Sequence, residues 1–115
     1  MRNEKADILN GTLALMTLRT IDVLGPIHGY AIARRIEQVS QGLLALNQGT
    51  LYPMLIQLQQ ARWLTAKWGV SDTGRKVKFY SVTKSGKKQL AEESENWQKI
   101  SDVIHRFAEP KGDLS

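Results

Sequence analysis

The chain has 115 residues and a formal net charge of +5, and it contains no cysteine. This length allows one small domain with a modest buried core, and the lack of cysteine excludes disulfide bonds, thiolate metal sites and a cysteine nucleophile. Hydrophobic residues make up 42% of the chain and charged residues 23%, which excludes a disordered or fibrous protein, and no apolar run approaches the length of a membrane span.

The first two predicted elements are helices. Leucine, methionine, isoleucine and valine fall on most faces of residues 11–24, so this stretch is predicted to be a central helix buried by its neighbours. Gly25 and Pro26 end it. A shorter helix is predicted over residues 31–39, where two isoleucines and a valine share one face, and residues 40–42 have the composition of a turn.

The third predicted helix carries the most informative pattern. Leu51, Leu55 and Leu58 follow the i, i+4, i+7 spacing of a buried face. This spacing leaves an uncharged outer face of hydrogen-bonding groups that includes Gln48, Thr50, Tyr52 and Gln59. A glutamine amide can pair bidentately with adenine, and threonine and tyrosine hydroxyls can reach phosphates. The helix is therefore a candidate for reading a DNA groove, and the alternative is an ordinary amphipathic surface helix.

The start of this helix is ambiguous in the sequence. Asn47 and Thr50 are both capable N-caps. If Thr50 is the cap, Pro53 lies in the first turn, where proline is tolerated. If Asn47 is the cap, Pro53 lies deeper, and it removes a backbone hydrogen bond or bends the helix.

A basic β-hairpin is predicted to follow. Residues 63–68 and 77–83 are the predicted strands, and the polar residues 69–74 form the turn between them. Eight lysines and arginines and one aspartate lie between Arg62 and Lys88, a net charge of +7 in a chain whose total is +5. The tip and the second strand carry Arg75, Lys76 and Lys78. Such a segment is typical of an element that binds a polyanion, and the alternative is a solubilising lysine surface.

The last predicted element is a long helix. It begins near Thr83 or Ser85, either of which could cap it, and it continues to about residue 109, before a frayed tail at 110–115. Apolar residues occupy the core positions of a heptad repeat at Leu90, Trp97, Ile100, Ile104 and Phe107, although Glu93 interrupts the pattern. A narrow apolar seam beyond a three-helix core predicts pairing with a second copy. The alternative is that this helix folds back on the first helix, and both contacts can coexist.

Three helices followed by a basic hairpin is the element order of a winged helix-turn-helix, in which the third helix enters the major groove. The sequence therefore predicts a mainly α fold with a small β-hairpin. We expect a winged helix-turn-helix DNA-binding domain at residues 1–83, a C-terminal dimerisation helix at 84–109 and the tail at 110–115.

Three spaced motifs resemble the PadR family of transcriptional regulators. They are Pro-Ile-His-Gly-Tyr at 26–30, Gly-Thr-Leu-Tyr-Pro at 49–53, and residues 75–83 followed by Gly86. The resemblance extends over nearly the whole chain and fits the short form of the family, which has a single C-terminal helix. It implies a winged-helix dimer that binds an inverted-repeat operator, usually as a repressor, and that leaves DNA when an effector binds.

The resemblance also implies roles for individual residues. It implies that three groups of residues lie at the DNA: His28 and Tyr30 at the start of the second helix, Gln48, Thr50 and Tyr52 of the third helix, and Arg75, Lys76 and Lys78 of the wing. In some relatives a tryptophan at the place of Trp97 contacts flat hydrophobic effectors. Each role has an alternative: Tyr30 could be a core aromatic, His28 could be satisfied by backbone, and Trp97 could serve only as packing in the seam.

The leading hypothesis is a homodimeric repressor that binds double-stranded DNA, needs no cofactor and does not contact a membrane. We expect it in the cytoplasm, because residues 1–7 carry both charge signs and lead into no signal-type apolar segment. The alternative is a winged-helix module that binds RNA or a protein partner. An enzyme or a metal site lacks support, since His28 and His105 are the only histidines and the sequence has no P-loop or dinucleotide-binding motif.

Overall fold

The computed structural model describes residues 4–108 of the chain. The elements follow in the order α1 (Glu4–Leu24), β1 (Ile27–His28), α2 (Gly29–Val39), α3 (Gln48–Gln60), β2 (Leu64–Val70), β3 (Lys76–Val82) and α4 (Lys84–Ala108). This order confirms the predicted mainly helical winged helix-turn-helix with a C-terminal helix. The predicted tail at 110–115 lies outside the described residues.

The hydrophobic core joins the three N-terminal helices to the sheet and to the start of α4. Its members are Leu13, Leu18, Ile21, Ile27, Ile32, Ala33, Ile36, Leu51, Met54, Leu55, Leu58, Leu64, Tyr80 and Leu90. The predicted leucine stripe of α3 is therefore confirmed as its buried face. Thr17 lies in this core without cost to α1, because its hydroxyl donates to the Leu13 carbonyl at 2.8 Å.

The sheet has three antiparallel strands, with β3 between β1 and β2. The hairpin was predicted, and its strands reach further toward the tip than expected, to Val70 and from Lys76. Strand β1 was not predicted. Its two residues pair with β3, Ile27 opposite Tyr80 and His28 opposite Phe79, and two residues carry no alternation that a sequence could reveal.

The two helix starts that the sequence left open are both decided. The Asn47 side chain caps α3, since its Oδ1 accepts from the Thr50 amide at 2.9 Å. Pro53 therefore lies beyond the first turn and supplies no N–H for the carbonyl four residues earlier. Thr83 caps α4, because its Oγ1 accepts from the Gly86 amide at 3.0 Å.

The first half of α4 packs on α1 of the same subunit. Leu90 is buried in the shared core, Arg19 of α1 donates to the Ser94 hydroxyl at 3.0 Å, and Lys87 pairs with Asp22 at 3.4 Å. The fold-back contact that the sequence left as an alternative thus exists over this half. The second half of α4 extends beyond the core.

Candidate nucleic-acid interface

The outer face of α3 is exposed and carries no charge. Gln48, Thr50, Tyr52 and Gln59 are all exposed, whereas Leu51, Leu55 and Leu58 are buried. Thr50 also belongs to the cap, because its hydroxyl donates to Asn47 Oδ1 at 3.2 Å. The Thr50 oxygen therefore remains an acceptor, whereas the Gln48 amide has both a donor and an acceptor to offer to a base edge.

Tyr52 connects α3 to the start of α2 and to the sheet. Its ring packs over Gly29, where a Cβ atom would lie 3.8 Å from two of the ring carbons. Burial, with a smaller contribution from Tyr52, raises the pKa of the Tyr80 hydroxyl on β3 above its ordinary value. Tyr52 is nevertheless 48% exposed, so it borders the core without being enclosed by it.

One face of the hairpin, here called the Tyr80 face, runs from the core to the wing tip. The strand register places on it the opposed pairs Leu64 with Val82, Ala66 with Tyr80, Trp68 with Lys78, and Val70 with Lys76. The first two pairs are buried or half-buried, and the last two are exposed. Helix α3 packs against β2 and shares the hydrophobic core with Leu64 and Tyr80, so the polar residues of α3 and the exposed end of this face belong to one packed unit.

Two of the three predicted wing cations lie over the ring of Trp68. The Lys76 and Lys78 Nζ atoms lie 5.1 and 5.3 Å from the centre of its indole ring. Arg75 is separate from this group, in the turn, where its backbone amide lies 3.3 Å from the Ser71 hydroxyl. Gly74 of the same turn has a φ of +81°, a conformation that favours glycine. The structure thus brings Lys76 and Lys78 together and leaves Arg75 at the tip.

His28 lies apart from the Tyr80 face, and Tyr30 lies in the first turn of α2. The His28 ring meets Phe79 edge to face, with centroids 5.7 Å apart, and Phe79 is on the opposite side of the sheet from Lys78. Tyr30 is 59% exposed, which argues against the core aromatic that the sequence allowed.

Trp68 is the residue of this surface that sequence reasoning missed. It was treated only as part of a strand, although it is a large aromatic in a basic segment. The signal that identifies it is the register, because Trp68 lies directly opposite Lys78 and diagonally from Lys76. Cross-strand neighbours of this kind interact through their side chains.

A second surface involves the predicted seam of α4. Leu90 is buried within the subunit, whereas the other four seam residues stay exposed: Trp97 by 47%, Ile100 by 52%, Ile104 by 58% and Phe107 by 83%. Trp97 also lines a groove of about 550 Å³ between α1, α2 and α4. The groove wall is mostly apolar and includes Met16, Val23 and Ile36, with Arg19 and Arg35 as its charged residues.

Within residues 4–108 no helix is long and apolar enough to cross a membrane. The same part of the chain contains no group of three histidine, aspartate or glutamate side chains that could hold a metal ion.

Comparison with known proteins shows which family the sequence matches. The sequence matches the transcriptional regulator PadR-like family over residues 17–92. An uncharacterised protein of Lysinibacillus sphaericus is 29% identical over 105 residues, which are 91% of this chain and 95% of that protein.

Two solved structures illustrate the shared fold. A PadR-like transcriptional regulator of Bacillus cereus is 23% identical with a TM-score of 0.78, and the match covers 91% of this chain and 99% of that one. A PadR family transcriptional regulator of Eggerthella lenta is 24% identical with a TM-score of 0.72, and the match covers 96% and 89%.

Proposed function

Because this chain belongs to the PadR-like family of transcriptional regulators, which bind DNA, we propose that it is a homodimeric repressor of an inverted-repeat operator. Helix α3 enters the major groove, where Gln48 and Tyr52 meet base edges and Thr50 accepts from the DNA or a bridging water. Lys76, Lys78 and Arg75 of the wing contact the flanking phosphates.

The observation that supports this proposal is the continuity between α3 and the wing. A neutral hydrogen-bonding surface suits base edges, and an adjoining cationic surface suits phosphates. Helix α3 packs against β2, the strand that leads into the wing, so one docking event can engage both. His28 and Tyr30, at the start of α2, are proposed to approach the DNA beside α3, with Tyr30 the better placed of the two because its side chain is exposed.

The exposed half of α4 supports the proposed dimer. Trp97, Ile100, Ile104 and Phe107 form an apolar stripe that a second copy would cover. A two-fold axis there would present two copies of α3 to successive major grooves, about 34 to 36 Å apart. The groove beside Trp97 is the proposed site of a flat hydrophobic effector, whose binding would change the spacing of the two α3 helices.

The test is a salt titration of binding to a duplex from the upstream region of the protein's own gene, beside a scrambled duplex of equal length. We expect a preference for the native duplex that persists as salt rises, because base contacts are less sensitive to salt than phosphate contacts. Equal affinity for both duplexes would contradict sequence-specific regulation. Tighter binding to hairpin RNA than to either duplex would favour an RNA-binding module instead.

Two substitutions test whether the wing contacts phosphates while α3 contacts bases. Lys78→Ala should weaken binding to both duplexes by a similar factor and shallow the salt dependence, whereas Gln48→Ala should reduce only the preference for the native duplex. Lys99→Ala is the matched control, since it removes an exposed charge from α4, outside the basic segment between Arg62 and Lys88. Similar effects of both substitutions on the two duplexes would contradict the assignment.

A further inference from the structure

We propose that Trp68 is a positioning residue of the wing, whose indole holds the ammonium groups of Lys76 and Lys78 ready for DNA phosphates. The inference rests on the proposed function, because it concerns how the wing cations reach DNA. It adds a residue that contributes no charge and no base contact of its own.

The geometry of the hairpin supports this role. Trp68 is 62% exposed at the distal end of the Tyr80 face, yet both neighbouring lysine Nζ atoms lie within 5.3 Å of its ring centre. The register fixes these neighbours, since Lys78 is directly opposite Trp68 and Lys76 is the diagonal neighbour. An indole face attracts an ammonium group more strongly than any other side-chain ring.

Trp68 contributes little to the interior of the protein. The base of the Tyr80 face is held by Leu64 and Tyr80, which are 2% and 3% exposed. On the opposite side of the hairpin Phe79 packs on Gly69, where a Cβ atom would come within 2.8 Å of the Phe79 ring. The wing therefore has packing that does not depend on Trp68, and the exposed indole has the two cations over its ring.

Holding two cations on one ring prepares the wing for a polyanion. A lysine side chain is flexible, and it loses rotamer freedom when it binds a phosphate. Lysines already held by the indole lose less freedom on binding. The two ammonium groups also repel each other on the free wing, and this repulsion is relieved when phosphates approach.

The experiment is a double-mutant cycle between Trp68 and the two lysines, measured on the full-length protein with the native and the scrambled duplex. The variants are Trp68→Leu, Trp68→Phe, Lys76→Ala with Lys78→Ala, and the triple combination. Leucine keeps apolar bulk without a ring, and phenylalanine keeps a weaker ring. Val70→Ala is the matched control, an exposed apolar residue on the same face of the wing.

We expect Trp68→Leu to weaken binding to both duplexes by about three- to tenfold, and Trp68→Phe to restore part of the loss. The salt slope should stay close to that of the unsubstituted protein in Trp68→Leu, because both lysines still reach phosphates. In the double lysine variant, the slope of the logarithm of the binding constant against the logarithm of salt concentration should decrease in magnitude by about two. In the lysine-free background, Trp68→Leu should have no further effect. Melting temperatures of Trp68→Leu and Val70→Ala should agree within about two degrees, as expected of surface changes.

Two outcomes would overturn the proposal: unchanged affinity in Trp68→Leu, or a loss of affinity that persists after both lysines are removed, which would make Trp68 a direct DNA contact. These outcomes are distinct from failure of the proposed function. If the protein binds both duplexes equally, specific repression fails, yet coupling between Trp68 and the lysines still supports the positioning role. If the protein binds no duplex, both proposals are overturned.

Discussion

The exposed half of α4 makes Trp97→Ala the most decisive test of the proposed dimer. Trp97 is 47% exposed in the single chain, and it lies at the start of the apolar stripe that a partner would cover. If that stripe is the dimer interface, the substitution removes the largest side chain of the interface without adding a charge. We expect the dimer to dissociate and tight operator binding to be lost with it.

The magnitude follows from the exposed area. A tryptophan presents about 200 Å² to an interface, and Trp97 has 47% of its surface exposed. About 100 Å² per subunit would then be buried, worth about 2.5 kcal/mol at 25 cal/mol per Å². The residue occurs twice in a two-fold interface, so the loss is about 5 kcal/mol, or between about three and four orders of magnitude in the dimer dissociation constant.

Sedimentation equilibrium over a wide concentration range measures this constant directly. Lys99→Ala is the control, since it changes an exposed residue of the same helix whose ammonium pairs with Glu95 at 3.7 Å. Trp97→Glu should dissociate the dimer further, because it would bury a charge. A dissociation constant for Trp97→Ala within tenfold of the unsubstituted protein, with unchanged melting of the subunit, would refute the assignment of Trp97 to the interface.

Three further substitutions test the parts of the fold that support the proposed DNA-binding surface. Asn47→Ala should lower the free energy of unfolding by about 1 kcal/mol in urea denaturation, because α3 loses its N-cap. Burial and the neighbouring Tyr52 raise the pKa of Tyr80 above 10.0, so the folded state holds this proton more tightly than the unfolded state. The stability from this group is therefore complete below about pH 10 and falls as pH rises through the folded-state pKa, and Tyr80→Phe should flatten that fall in melting temperatures above pH 10. Gly86→Ala should destabilise the fold by about 2 to 3 kcal/mol in the same urea assay, because its Cβ would overlap the Trp63 carbonyl.

Each of these changes has a control within the chain. Asn47→Asp keeps an acceptor for the α3 cap and should retain stability. Tyr30→Phe removes an exposed phenol and should leave the alkaline loss of stability in place. Gly11→Ala places a Cβ where no atom lies within 4 Å, so it should be tolerated. If Asn47→Ala, Tyr80→Phe or Gly86→Ala behaves like its control, the result contradicts the α3 cap, the buried phenol or the close contact of Gly86 with the Trp63 carbonyl, respectively.

Much of the fold could be predicted because its signals are local. The leucine stripe of α3 and the hairpin each depend on residues close together in the chain, whereas the choice between Thr83 and Ser85 as the cap of α4 was left to the structure. The start of α1 was predicted too late, at residue 11, whereas the helix begins at Glu4. An exposed glycine inside a helix costs only about 1 kcal/mol, so the helix continues through Gly11.

The candidate site was predicted in part. The polar residues of α3 and the basic wing could be predicted, because residue periodicity and charge can be counted in the sequence. The partners of individual residues did not follow. The heptad spacing of α4 indicated apolar positions but not which neighbour covers each one, and the structure buries Leu90 in its own subunit while leaving Trp97 and Phe107 exposed.

The sequence by itself determined the order of the elements, the outward residues of α3 and the basic character of the hairpin, because 3.6-residue and two-residue periods are properties of a short segment. Only the tertiary structure decided that β1 joins the sheet, that Tyr52 packs over Gly29, and that Lys76 and Lys78 lie over the Trp68 ring. These contacts join positions far apart in the chain, and their geometry depends on strand register and helix packing, which no local pattern specifies.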